Sequence, residues 1–252
     1  MSNFSKAVAG LAAMFLSSAV VTAPALADAR NIVLVHGALV DGSGWRGVYD
    51  ILAKDGYNVS IVQQPLTGLD QDVAATKAVL DQQDGDVILV GHSYGGAIIT
   101  AAGDDPKVKA LVYVAALQPE KGESAAQLLQ SIPSSTNDIK PTPDGFLVLD
   151  RTKFASDFGA DLPKDQAEFM ARSQMRVAIA GTNAQVSVAA WHDKPSYGIV
   201  AKNDKTINPD LERWMYQRSG AQVTEIDGSH AIYITQAAAV AKVIEEAATA
   251  AK

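Results

Sequence analysis

The sequence predicts an α/β fold: a doubly wound, mostly parallel six-stranded sheet with a helical lid inserted before the fifth strand. Three observations carry this: six short apolar runs, helical spacing between them, and one long stretch that breaks the alternation. The runs occupy residues 31–35, 58–62, 86–90, 110–114, 196–200 and 222–226. They are β-branched and lack polar alternation, which suits strands buried on both faces, as in a parallel sheet. Residues 45–54 place Trp45, Val48, Tyr49, Ile51 and Leu52 on one apolar face. Residues 73–80 repeat the pattern, with Asp70 or Asp72 available as a cap. Segments 211–218 and 232–250 supply the last two helices. Strict strand–helix alternation means βαβ units. From 118 to 194 no strong strand is visible, and Pro133, Pro141, Pro143 and Pro163 punctuate the chain. Helical pieces are expected there, such as 163–174 with Pro163 in its first turn. So long an excursion reads as a lid over the carboxyl edge of the sheet, where ligands bind in open α/β sheets.

With 252 residues, 48% of them hydrophobic, the chain can bury one sizeable core as a single domain. The net charge of −7, without a Lys/Arg cluster, argues against a nucleic-acid partner. The absence of cysteine excludes a disulfide, a thiol nucleophile and a zinc–cysteine site. No His, Asp and Glu cluster has metal-ligand spacing, so no metal or cofactor is implied. Near the N-terminus Lys6 precedes the apolar stretch 7–21, which is short for a membrane span, and then Ala25-Leu26-Ala27. That order reads as a signal peptide over 1–27, removed to leave Asp28 as the first residue of domain 28–252. The protein is then periplasmic or secreted, with no stable membrane anchor.

Gly91-His92-Ser93-Tyr94-Gly95 matches G-x-S-x-G. The match gains weight from its position, after the apolar run Val87-Ile88-Leu89-Val90 and before the small-residue helix from Gly96 to Ala102. A sharp strand-to-helix turn needs glycines at its ends, because side chains there would meet backbone. The turn projects the Ser93 hydroxyl outward, and the helix N-terminus behind it favours developing negative charge. A hydroxyl is a weak nucleophile and needs a base. Of the four histidines, His230 lies in the polar loop Asp227-Gly228-Ser229-His230 just past the sixth run, where the base belongs in the order Ser, acid, His. Asp204 directly follows the fifth run and is the favoured acid, with Glu120 as its rival. Asp210 instead opens a helix behind Asn208-Pro209. Backbone N–H groups of Ala38 and Tyr94 are the natural oxyanion donors.

These residues resemble a known family. His36-Gly37-Ala38, Asp41-Gly42-Ser43-Gly44-Trp45, Gly91-His92-Ser93-Tyr94-Gly95-Gly96, Asn203-Asp204-Lys205 and Gly228-Ser229-His230-Ala231 resemble the α/β-hydrolase superfamily. Within it they are most similar to the branch of plant methylesterases, hydroxynitrile lyases and small bacterial esterases, including pyrethroid-type carboxylesterases. The resemblance spans about residues 31–240 and is weakest in the lid. It implies a sheet that starts at the family's third strand, and the triad Ser93, His230, Asp204. Hydroxynitrile lyases carry a lysine beside the catalytic histidine and a threonine near the oxyanion hole, where this chain has Ala231 and Gly37, so cyanohydrin cleavage is not expected. Ser93 likewise excludes the aspartate nucleophile of haloalkane dehalogenases. The expected activity is two-step hydrolysis of a small-molecule carboxylic ester. Amides, lactones, perhydrolysis, or ligand binding without turnover remain open on the same residues. Trp191, Phe146 and Phe169 are the expected substrate walls, drawn from lid residues that also include Phe154, Phe158, Met170 and Met175.

Overall fold

The computed structural model describes Met1 and residues 29–251; the export signal expected over 1–27 lies outside the described residues, Met1 apart. The chain alternates strand and helix: β1 (Asn31–Val35), α1 (Arg46–Lys54), β2 (Asn58–Val62), α2 (Leu69–Asp81), β3 (Val87–His92), α3 (Gly95–Ala102) and β4 (Val108–Val114). After the insertion come β8 (Ser196–Ala201), α8 (Pro209–Ser219), β9 (Gln222–Ile226), α9 (Ile232–Thr235) and α10 (Ala237–Ala250). These six strands form one sheet in the order β2-β1-β3-β4-β8-β9, and every pairing is parallel.

Side chains alternate across the pleat, so each strand feeds two cores. Val33, Val35, Leu89 and Leu111 pack with Ile98, Ile99, Leu80 and Met215 of α2, α3 and α8. Ile32, Leu34, Val90 and Val112 pack against α1 and α10 through Val48, Leu52, Val240 and Ile244 on the opposite face. Burial on both faces explains why the central strands read as unbroken apolar runs. The edges behave otherwise: β9 is largely exposed and β2 partly so. Their runs owe their β-branching to pairing on a pleated surface rather than to two-sided burial.

The insertion contains more β-structure than its sequence suggests. It holds α4 (Ala125–Ser131), β5 (Ile139–Pro141), β6 (Phe146–Leu149), α5 (Phe154–Asp157), α6 (Lys164–Ser173), β7 (Val177–Ala178) and α7 (Ile179–Asn183). The three strands make a small antiparallel sheet, β5-β6-β7. The expected helical pieces are present as α4 to α7, and the lid's description as helical is corrected by this added sheet. A third apolar cluster, with Leu39, Val40, Leu149, Phe154, Phe158 and Ala231, ties this lid to the turn after β1 and to the loop before α9.

Of two helix starts with expected caps, one holds and one differs. Asn208 caps α8 by accepting from Asp210 N at 3.0 Å, as the Asn-Pro-Asp signature predicts. At α2, by contrast, the N-cap is Gly68 and neither aspartate caps. Asp72 turns inward and is fully buried. Its Oδ1 accepts from Leu66 N at 2.7 Å and its Oδ2 from the Tyr94 hydroxyl at 3.3 Å. Asp72 thus ties the β2–α2 loop to the turn that carries Ser93.

Candidate active site

Ser93 sits between β3 and α3 with φ at +56°, left-handed backbone that a non-glycine residue adopts only under constraint. The constraint is visible at the flanking glycines. A Cβ on Gly91 would lie 2.6 Å from Gly95 O, and one on Gly95 would lie 2.7 Å from His36 O. The turn is therefore jammed between β1 and the first turn of α3, with Ser93 O accepting from Gly96 N and Leu117 N. This presents the hydroxyl at the carboxyl edge of the sheet.

There the structure brings the three expected residues together. Ser93 Oγ lies 2.8 Å from His230 Nε2, and His230 Nδ1 lies 2.5 Å from Asp204 Oδ2. The Asp204 and His230 side chains are fully buried, and Ser93 is nearly so. Asp204 Oδ1 accepts from Thr206 N at 2.7 Å and Ile207 N at 2.9 Å, which holds the carboxylate still. With Asp204 as acceptor, the imidazole proton belongs on Nδ1, and Nε2 is left to accept from the serine hydroxyl.

Further residues fix His230, and neither was expected from sequence. His92 Nε2–H donates to the His230 carbonyl at 2.9 Å. Burial, and then the neighbouring His230, push the His92 imidazole well below its ordinary pKa, so it remains neutral. Phe158 packs edge-to-face on the His230 ring at 4.9 Å, and the Ala231 N–H donates to Phe158 O. The lid thereby braces the His230 ring directly. Glu120, the rival acid, is spent at the surface on His192 at 2.8 Å.

A cavity of about 260 Å³ opens onto Ser93 and His230. Ala38 and Tyr94, the expected oxyanion donors, line it beside Ser93. The rest is mostly apolar: Leu117 from the core side, Leu129 from α4 of the insertion, and Ile139, Leu147, Leu149 and Val177 from the lid sheet. Ser134, Thr136, Asn137 and Thr206 add polar points.

The three expected substrate walls are corrected, because none of them lines this cavity. Phe146 and Leu147 are neighbours on β6, and a strand points successive side chains oppositely. Leu147 and Leu149 face the cavity, so Phe146 lies outside, 4.1 Å under the Arg176 guanidinium. Phe169 on α6 is 70% exposed. Trp191 is buried in the α2–α3 core, with its indole N–H donating to Pro119 O at 2.9 Å. Gly37 has a definite steric role: a Cβ there would lie 2.6 Å from Ser93 Cβ, so a threonine would collide with the serine.

Comparison with known proteins decides the family. Residues 32–243 match the model of the alpha/beta hydrolase family. The chain belongs to the alpha/beta hydrolases. It is 36% identical to the carbendazim hydrolyzing esterase of Nocardioides sp. over 39% of this chain, a match spanning 47% of that enzyme. It is 23% identical to methylesterase 8 of Arabidopsis thaliana over 74% of this chain and 76% of that one. The crystal structure of a pyrethroid hydrolase from Sphingobium faniae superposes with a TM-score of 0.73 at 23% identity, covering 88% of this chain and 98% of that one, and shares the fold. This is the branch that the turn motifs resemble.

The hydrogen-bonded tie between Asp72 and Tyr94 has a pH signature. Burial pushes the Asp72 carboxyl up to about 6 from 3.8. The folded protein therefore holds a proton that the unfolded chain has released, and stability falls as pH rises through that window. Asp72→Asn should flatten this dependence. Thermal unfolding at pH 4.5 and 7.5 checks it: the difference in midpoint should be smaller in the variant than in the wild type.

Proposed function

We propose that this hydrolase is an exported serine esterase acting on small carboxylic esters. The observation that carries the reading is the buried Ser93–His230–Asp204 chain at the floor of a mostly apolar cavity. The relatives named above as a carbendazim hydrolyzing esterase and a methylesterase support the ester class.

In the proposed reaction His230 Nε2 takes the Ser93 proton as Oγ attacks the ester carbonyl carbon. The carbonyl oxygen becomes an anion held by the N–H groups of Ala38 and Tyr94, beside the N-terminus of α3. Collapse breaks the carbon–oxygen bond to the alcohol, which leaves with the proton from His230. Water then attacks the acyl-serine by the same route, releases the acid and returns the proton to Ser93. Asp204 stays ionised throughout and stabilises the imidazolium. The cavity favours a compact apolar group beside the scissile carbonyl. Export rests on the N-terminal pattern, and sequencing of the mature protein should begin at Asp28.

The test combines turnover of p-nitrophenyl acetate, butyrate and octanoate with labelling by a fluorophosphonate. Turnover, with the label mapped to Ser93 by mass spectrometry, is the expected result. A folded protein that neither turns over esters nor takes the label would point instead to ligand binding without catalysis.

A further inference from the structure

A second carboxyl lies behind the Asp204–His230 pair. Glu212, on the buried face of α8, is fully buried. Its Oε2 accepts from Ala201 N at 3.1 Å, at the end of β8, and the same residue's carbonyl accepts from Asp204 N at 3.0 Å. Both carboxyls therefore close on one turn. Glu212 Oε1 meets no N–H or O–H donor. The charge that weighs most on the Glu212 carboxyl is that of Asp204.

Two carboxylates cannot share a dry site without a cation or a proton between them. Among the described residues no cation serves here. Arg213, the adjacent residue on α8, points to the surface and is held by Glu225 at 2.8 Å and Asp210 at 2.7 Å. The other ionisable groups facing the pair are His230, already bonded to Asp204, and the Tyr216 hydroxyl, bonded to the Ala116 backbone. One carboxyl must be neutral. Asp204 accepts from two backbone N–H groups and from His230, all of which favour its charge. Glu212 has one such donor, and burial and the charge on Asp204 hold its pKa well above the ordinary range.

We propose that Glu212 is a positioning residue for the triad: a carboxylic acid whose O–H donates to Asp204 and reserves the charge for the Asp204–His230 pair. This rests on the catalytic reading of that pair. The proton satisfies Glu212 Oε1 and gives Asp204 a third neutral donor beside Thr206 N and Ile207 N. That fixes the carboxylate without a second negative charge, which would overstabilise the imidazolium and impair its return of the proton to the leaving alcohol.

Glu212→Gln keeps the shape, since its amide oxygen can accept from Ala201 N and its NH₂ can donate to Asp204. Glu212→Leu removes the donor. With p-nitrophenyl butyrate, kcat/KM of the glutamine variant should stay within about threefold of wild type, with the same acid limb in its pH profile. The leucine variant should lose about 10–100-fold in kcat at unchanged KM, the worth of one hydrogen bond to a charged group. An acid limb that falls by about one unit in Glu212→Gln would mean that wild-type Glu212 is ionised, and would overturn the proposal. So would a leucine variant as active as wild type. Infrared difference spectra between wild type and Glu212→Gln read the proton without any turnover. The carbonyl stretch of a buried protonated carboxyl should be present in wild type and lost in the variant, and its absence from wild type refutes the proposal even if the leucine variant fails to fold. An enzyme inert toward esters that shows this band would count against the esterase reading alone.

Discussion

Ser93→Ala should lower kcat/KM for p-nitrophenyl butyrate by about 10⁴-fold or more, while the protein unfolds at nearly the wild-type temperature. The loss follows from what the hydroxyl does. It is the atom placed 2.8 Å from His230 Nε2; the sequence has no cysteine, and among the described residues no second serine shares this setting. Stability should hardly change, because the side chain makes one hydrogen bond, whereas the turn is held by close backbone packing around Gly91 and Gly95. Those contacts survive in alanine. Residual hydrolysis would reflect oxyanion stabilisation by Ala38 and Tyr94 acting on water, which lacks a positioned nucleophile. Equal activity in variant and wild type would mean that another group attacks, and the assignment would have to be abandoned.

The residues around Ser93 were legible because steric demand writes itself into sequence. Gly91 and Gly95 are glycines since any Cβ would meet backbone at under 3 Å, and such a constraint leaves a motif. Asp204 and His230 were legible from their positions at the ends of β8 and β9, where a parallel sheet exposes loops on its catalytic edge. The lid was not. β5 and β7 span Ile139–Pro141 and Val177–Ala178, too short for any periodicity to register, and β5 ends at a proline. Phe146, Phe169 and Trp191 have the apolar bulk of a pocket wall, but bulk carries no direction. Leu147 and Leu149 won the cavity through the register of β6 against β7, which only the tertiary pairing decides.

Glu212 shows the same limit from the other side. Nothing in Leu211-Glu212-Arg213 sets Glu212 apart from the other charges of segment 211–218. In the fold its neighbours Leu211, Met215 and Tyr216 share the buried face of α8, and the carboxyl goes under with them. Similarly, the sequence places His92 beside Ser93 in its turn, but only the backbone fold of the His230 loop gives it an acceptor. The Ser, Asp and His of the relay announce themselves by type and chain order. Groups that hold the catalytic residues in place depend on which distant backbone atoms arrive beside them.

Asp204→Asn should cost on the order of 10³–10⁴-fold in kcat, with little change in KM. The direction follows from which oxygen is already committed. Asp204 Oδ1 accepts from Thr206 N and Ile207 N, so the asparagine oxygen must take that place to avoid stranding two buried donors. The amide NH₂ then replaces Oδ2 and faces His230 Nδ1. Two donors cannot oppose each other, so the imidazole must move its proton to Nε2 and accept through Nδ1. Nε2–H would then point at Ser93 Oγ and could no longer take its proton. Asp204 does not line the cavity, so substrate affinity should be spared. The measurement is a kcat and KM pair for p-nitrophenyl butyrate, with nitrogen chemical shifts of the His230 ring reporting which nitrogen carries the proton. A variant that keeps the proton on Nδ1 yet loses activity would show that Asp204 acts by charge and not by setting the tautomer. One that loses less than about tenfold would remove Asp204 from the triad altogether.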